Sequence, residues 1–166
     1  MKYIYIIRHA KSSWKEPGLK DQKRPLNKRG KHDGPKMADF LYNTIEDPIE
    51  LVYSSHAVRA KTTASFFHKA FKVKDELDIR RDLYFGNDSD VMYTIHETPE
   101  NYKVIALFGH NPLWTYFVNR FQKENFIDNL PTCGIAQLVS SADTWSSILP
   151  ENTSVTNIYL PKQILY

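Results

Sequence analysis

Two stretches of the chain are apolar at every position: Tyr3-Ile4-Tyr5-Ile6-Ile7 and Val104-Ile105-Ala106-Leu107-Phe108. Unbroken runs this short predict strands buried on both faces, as in a parallel sheet. Between them the apolar period lengthens to that of a helix. Met37, Phe40, Leu41 and Ile45 form one face of a helix that Asp47-Pro48 ends. Its start has two readings. Asn27 could cap it, with Gly34-Pro35 as an interruption, but Asp33 as cap with Pro35 in the first turn is locally cleaner. Ala60, Ala64, Phe67 and Phe71 give a second helix over 57–71. A third is predicted from Asp88 to Glu97, capped by Asp88 or Ser89 and stopped by Thr98-Pro99. A fourth follows Pro112, with Leu113, Phe117 and Phe121 inward. Glu50–Tyr53, Gly134–Val139 and Val155–Leu160 read as further strands. Residues 10–26 read as a loop, and 76–85 as irregular with a short extended piece at Leu77–Ile79. This alternation predicts one domain over 1–166, an α/β three-layer sandwich with a mostly parallel central sheet flanked by helices.

Composition narrows the function classes. The chain has 166 residues, enough for a sizeable single core. Cys133 is its one cysteine, which excludes an intrachain disulfide and a cysteine-rich zinc site, and it reads as an inert core residue. The apolar run after Met1-Lys2 is too short for a secretory leader, and no stretch reaches the roughly 20 residues of a membrane span. The expected location is cytoplasmic, with no membrane partner. Lys20, Lys23, Arg24, Lys28, Arg29, Lys31 and Lys36 crowd one segment of a chain whose net charge is only +3. They read as a solvated face or as a basic rim that draws anionic substrates. The aromatic interleaving of a nucleic-acid binder is missing, so no nucleic-acid partner is expected.

The two buried strands each end in a histidine. Arg8-His9-Ala10 follows the first, and Gly109-His110-Asn111-Pro112 follows the second. The carboxyl edge of such a sheet is where α/β folds bind ligands. Arg59 lies just inside the second helix, after Ser54-Ser55. Arginines match phosphate oxygens, the helix N-terminus adds backbone donors, and a neutral histidine can carry a phosphoryl group covalently. No acidic ligand cluster accompanies the histidines, so the expected mechanism uses neither metal nor cofactor.

The blocks Arg8-His9-Ala10-Lys11-Ser12, Arg24-Pro25-Leu26, Ser54-Ser55 with Arg59-Ala60 and Thr63, and Gly109-His110-Asn111-Pro112 resemble the histidine phosphatase superfamily, with its phosphoglycerate mutase-like fold. The Arg-His-Ala-Lys-Ser variant is similar to that of SixA-type phosphohistidine phosphatases. The resemblance spans Ile4 to about Val139. It implies that His9 is the nucleophile, that Arg8 and Arg59 bind phosphate, that His110 hydrogen-bonds the transferred group, and that Arg24 is a further phosphate contact.

Many members of that family carry an acidic general acid between the second arginine and the second histidine. Here Asp82, in Arg80-Arg81-Asp82-Leu83-Tyr84, is the one candidate, and a surface salt bridge is its other reading. An imidazole leaving group needs such an acid less than an alkoxide does. The short segment from Arg59 to His110 also leaves little for a lid. Both features favour a histidine-phosphorylated protein as substrate, with inorganic phosphate as product. A phosphatase of small phosphomonoesters, and a phosphoprotein-binding module of weak activity, are the other readings. His32, His56, His68 and His96 match no catalytic block. Ser12, Ser13 and Trp14 are expected to shape the pocket mouth.

Overall fold

The two unbroken apolar runs are adjacent central strands of one six-stranded sheet in the computed structural model, which describes residues 1–166. The strands are β1 (Lys2–Arg8), β2 (Leu51–Ser54), β3 (Asp78–Ile79), β4 (Val104–Gly109), β5 (Ile135–Ser140) and β6 (Thr153–Tyr159). The helices are α1 (Lys28–Thr44), α2 (Val58–Ala70), α3 (Asp82–Phe85), α4 (Asp88–His96), α5 (Leu113–Asn119) and α6 (Pro161–Ile164). The sheet order is β3-β2-β4-β1-β5-β6, and only β5 runs against the rest. No helix is long and apolar enough to cross a membrane.

The period-2 geometry of a strand explains why β1 and β4 had to be apolar throughout. Ile4, Ile6, Ile105 and Leu107 face one core, packed with Val91, Ile95, Trp114 and Phe117 from α4 and α5. Tyr5, Ile7, Ala106 and Phe108 face the other, packed with Met37 and Leu41 from α1 and Phe67 from α2. Each face of the sheet is thus covered, which makes the sandwich three layers deep.

Three local readings are corrected. First, α1 starts at Asn27 and not at Asp33: the Asn27 side chain accepts from the Gly30 amide at 2.9 Å. Tertiary contact decides this. The Asn27 amide bonds the Lys11 carbonyl at 2.9 Å, and a Cβ on Gly30 would lie 2.2 Å from that same oxygen. The first turn of α1 is pinned to the segment that follows His9, and the helix carries Pro35 inside it. Asp33 is buried and engaged with Arg29, His32 and Tyr166. Second, Asn87 caps α4 through a capping box with Asp90, while Asp88 pairs with Arg120. Third, the stretch read as irregular contains α3, a single turn held by contacts around the site and not by periodicity.

Candidate active site

Register places the two histidines together. In the parallel pair of β1 and β4, Arg8 stands opposite Gly109. His9 and His110 each follow by one residue, and their ring centres lie 5.0 Å apart. On the far side of β4, Ser54 aligns with Phe108, and the Ser55 amide bonds the Phe108 carbonyl. Helix α2 begins three residues later and carries Arg59 in its first turn. Three adjacent strand ends therefore deliver His9, His110 and Arg59 to one edge of the sheet.

The His9 ring is fixed in orientation and in proton position. Its Nδ1 lies 2.7 Å from the Ala10 carbonyl oxygen, which can only accept, so Nδ1 carries the proton. Nε2 keeps its lone pair, and Arg59 Nε points at it from 3.3 Å. The Ala10 amide is anchored to Thr63 Oγ1 at 2.9 Å, which gives Thr63 of the second block its place. The Cys133 amide bonds both the Arg8 and His9 carbonyls from a left-handed backbone conformation, φ 60°. Burial pushes the His9 pKa down to about 3; the cations of Arg59, Arg8 and Arg24 act in the same direction, and the Ala10 carbonyl opposes them. At neutral pH the imidazole is uncharged.

His110 is set the other way round. Its Nε2 lies 2.6 Å from Ser55 Oγ. That oxygen already accepts from the Ala57 amide, and His110 Nε2 is the one acceptor for its proton. Ser55 therefore donates to Nε2, and Nδ1 of His110 holds the ring's proton. Burial first, then the neighbouring His9 and the charges of Arg59 and Arg8, lower the His110 pKa to about 2 against the pull of Asp21.

Two buried donors have no protein acceptor here: Nδ1 of His110 and Nε of Arg8. The Arg8 head is otherwise held by the Leu130 carbonyl at 3.0 Å. A buried N–H without an acceptor costs about 1–3 kcal/mol, a cost that an oxygen acceptor brought to these atoms would remove. The cavity measures ≈ 330 Å³ and is lined by Arg8, His9, Lys11, Ser12, Trp14, Arg24, Arg59, His110, Asn111 and Thr132. Of the basic segment at 20–36, only Arg24 is turned into it; the lysines there are exposed. No carboxylate lines its wall.

The carboxylate that matters stands behind the arginines. Arg59 Nη1 donates to the Asp21 backbone oxygen at 2.7 Å and Nη2 to its Oδ2 at 2.9 Å; Arg24 Nε donates to Oδ1 at 3.0 Å. The Tyr84 hydroxyl, from α3, also donates to Oδ2. Partial burial raises the Asp21 pKa, but bonds from Tyr84, Arg59 and Arg24 outweigh it and hold the carboxyl well below its usual range. Asp21 is a fixed anion that aims two cations.

The structure thus brings together Arg8, His9, Arg24, Arg59 and His110. It does not bring Asp82 to them: that side chain is exposed on α3, outside the cavity, and makes no ion pair. Asp21, Tyr84 and the Ser55–His110 bond escaped the sequence reading. Asp21 left a faint signal as the sole acid between Lys20 and His32. His56 meets Tyr84 edge to face and Phe85 at a tilt, with ring centres at 5.0 and 5.4 Å, and so packs against α3.

The family model of the histidine phosphatase superfamily, branch 1, matches residues 4–126. The chain belongs to this superfamily. Membership makes it a phosphatase hydrolase, with the phosphoglycerate mutase-like α/β fold. Among solved structures, the protein histidine phosphatase SixA complexed with tungstate superposes with a TM-score of 0.80 at 22% identity, covering 97% of this chain and 98% of that one. A protein named as a candidate phosphohistidine phosphatase, SixA from Agrobacterium tumefaciens, gives 0.78 at 24% identity, covering 96% and 98%. An uncharacterised chloroplastic protein of Arabidopsis thaliana is 26% identical over 156 residues, 86% of this chain and 68% of that protein. These structural likenesses carry the same fold over almost the whole chain, beyond residue 126 where the family match ends.

Proposed function

We propose that the chain is a metal-independent phosphatase that removes phosphate from phosphohistidine in a protein, by way of a phosphorylated His9. The observation that carries this is the Nδ1 bond from His9 to the Ala10 carbonyl, which leaves an uncharged Nε2 facing a cavity of arginines. Nε2 attacks phosphorus, and the bond from phosphorus to the substrate nitrogen breaks. With its second ring nitrogen protonated, the substrate leaves as neutral imidazole, so no acid has to deliver a proton. His9 becomes an imidazolium that bears the phosphoryl group, its Nδ1 proton held by Ala10. Water then attacks phosphorus, the electron pair of the P–N bond returns to Nε2, and both water protons remain on the dihydrogen phosphate released. Arg8 Nε, His110 Nδ1, Arg24 and Arg59 bind the three equatorial oxygens, where positive charge is needed in such transfers.

The absence of a carboxylate from the wall supports phosphohistidine over an alkyl ester. Asp21 is held ionised by its partners and Asp82 lies outside the cavity. An alkoxide that departs without acid help loses about 10²–10⁴ in rate.

The test is side-by-side turnover of a histidine-phosphorylated protein and a panel of sugar and alkyl phosphates, with rapid quench. An acid-labile, base-stable phosphoenzyme is expected, absent in His9→Ala, with phosphohistidine consumed fastest and chelators without effect. An alkyl phosphate consumed fastest would establish the small-phosphomonoester reading instead. Full turnover by His9→Ala would remove the covalent mechanism.

A further inference from the structure

Trp14 is 72% exposed, whereas Trp114 and Trp145 are fully buried. It is not loose. One face of the indole lies on Arg24, with the guanidinium carbon 3.5 Å from the ring centre. Arg24 is itself clamped by Asp21, Ser12 Oγ at 2.9 Å and the Ser13 carbonyl at 3.2 Å. The chain on the N-terminal side of Trp14 is tied to the same segment, because Ser12 bridges Leu26 and the Ser13 amide bonds the Pro25 carbonyl at 2.8 Å. The ring is a positioned flat surface at the wall of the cavity that holds His9.

In-line displacement fixes where the leaving group goes. With His9 Nε2 as the attacking atom, the departing atom lies on the opposite side of phosphorus, and Trp14 is the exposed aromatic ring that lines the same cavity. We propose that Trp14 is a stacking subsite for a planar leaving group: the imidazole of phosphohistidine, or an aryl ring. The imidazole version rests on the function proposed above; ring preference as such does not. Offset stacking on an indole fixed beforehand costs little ordering, and a protonated imidazole is further attracted to its π face.

The experiment compares substrates that share a scissile bond and differ in the ring. Phosphohistidine is paired with phosphoramidate, and phenyl phosphate with acetyl phosphate. In Trp14→Ala, the kcat/KM ratio of ring-bearing to ring-less substrate is expected to fall about 3- to 10-fold within each pair, and Trp14→Phe is expected to restore most of it. If Trp14 served only to hold Arg24, both members of a pair would fall together and the ratio would stay unchanged, which overturns the proposal.

A second measurement uses the unaltered protein. Because the other two tryptophans are buried, acrylamide quenching of fluorescence reports Trp14. Phenylphosphonate is expected to shield it and methylphosphonate is not; equal shielding, or none, overturns the proposal. No turnover of phosphohistidine, with the phenyl-to-acetyl ratio still dependent on Trp14, would retire the phosphohistidine reading and leave the subsite standing.

Discussion

Arg59 and Asp21 are joined twice, through the guanidinium Nη1 to the backbone oxygen at 2.7 Å and through Nη2 to the carboxylate at 2.9 Å. The third donor edge of the same guanidinium, Nε, is thereby aimed at His9 Nε2. A loop carboxylate thus orients an arginine that starts from a helix, and the arginine in turn faces His9. The same carboxylate holds Arg24. The loop at 10–26 supplies the site with its alignment as well as its wall.

Asp21→Asn keeps the shape of the side chain and removes the charge that fixes both arginines. The expected loss in kcat/KM is about 10- to 100-fold, the scale set by misplacing a catalytic group. The loss should be the same across a series of aryl phosphates whose phenols differ in acidity. A loss that steepens as the phenol becomes more basic would make Asp21 a proton donor and contradict its role as an anchored anion.

Ser55 sets the His110 tautomer through the 2.6 Å bond to Nε2. In Ser55→Ala the ring is free to place its proton on either nitrogen. A fall in kcat of about 3- to 10-fold is expected. Nitrogen-15 chemical shifts of His110 should move from the Nδ1-protonated pattern toward a mixture. Unchanged shifts in the variant would show that the serine does not decide the tautomer.

The elements visible in the sequence were those whose signal is local and repeated. β1 and β4 showed through unbroken apolar runs, and α2 and α5 through their spacing. His9 and His110 were legible because each ends such a strand, and strand ends need no further information to be placed at the edge. Asn27 was harder to prefer, since the local chemistry of Asp33 and Pro35 is the better cap on paper; the bond from Asn27 to Lys11 that overrides it joins residues sixteen apart. α3 has one turn and no period to detect. Asp21 and Tyr84 meet across 63 positions, and nothing in either neighbourhood announces the other.

Asp82→Asn should change turnover of phosphohistidine and of phosphomonoesters by less than about twofold, the ordinary range for an exposed side chain without partners. The check is kcat/KM for both substrate classes. A selective loss on alkyl phosphates would mean that α3 shifts to bring Asp82 over the cavity during turnover, and would restore it as the general acid.

The buried histidines make stability depend on pH. His9 and His110 have folded-state pKa values of about 3 and about 2, against 6.5 when unfolded. Between those limits the unfolded chain binds more protons than the folded one, so stability falls as pH drops below about 6.5. Each histidine contributes up to about 1.4 kcal/mol per pH unit once its unfolded form is fully protonated. The full contribution is present above pH 6.5 and is progressively lost toward pH 3. In phosphate-free buffer, Tm should decline from pH 7 to pH 4.5, and the decline should be shallower in His9→Gln, which cannot take up the proton. Inorganic phosphate or tungstate should also flatten it, because a bound oxyanion favours the charged rings in the folded state. A Tm that is flat over this range in the unaltered protein would mean that His9 and His110 take up protons as readily in the folded chain as in the unfolded one, and a Tm that rises toward pH 4.5 would mean that they are charged in the folded chain; either result would remove the depressed values on which the uncharged His9 rests.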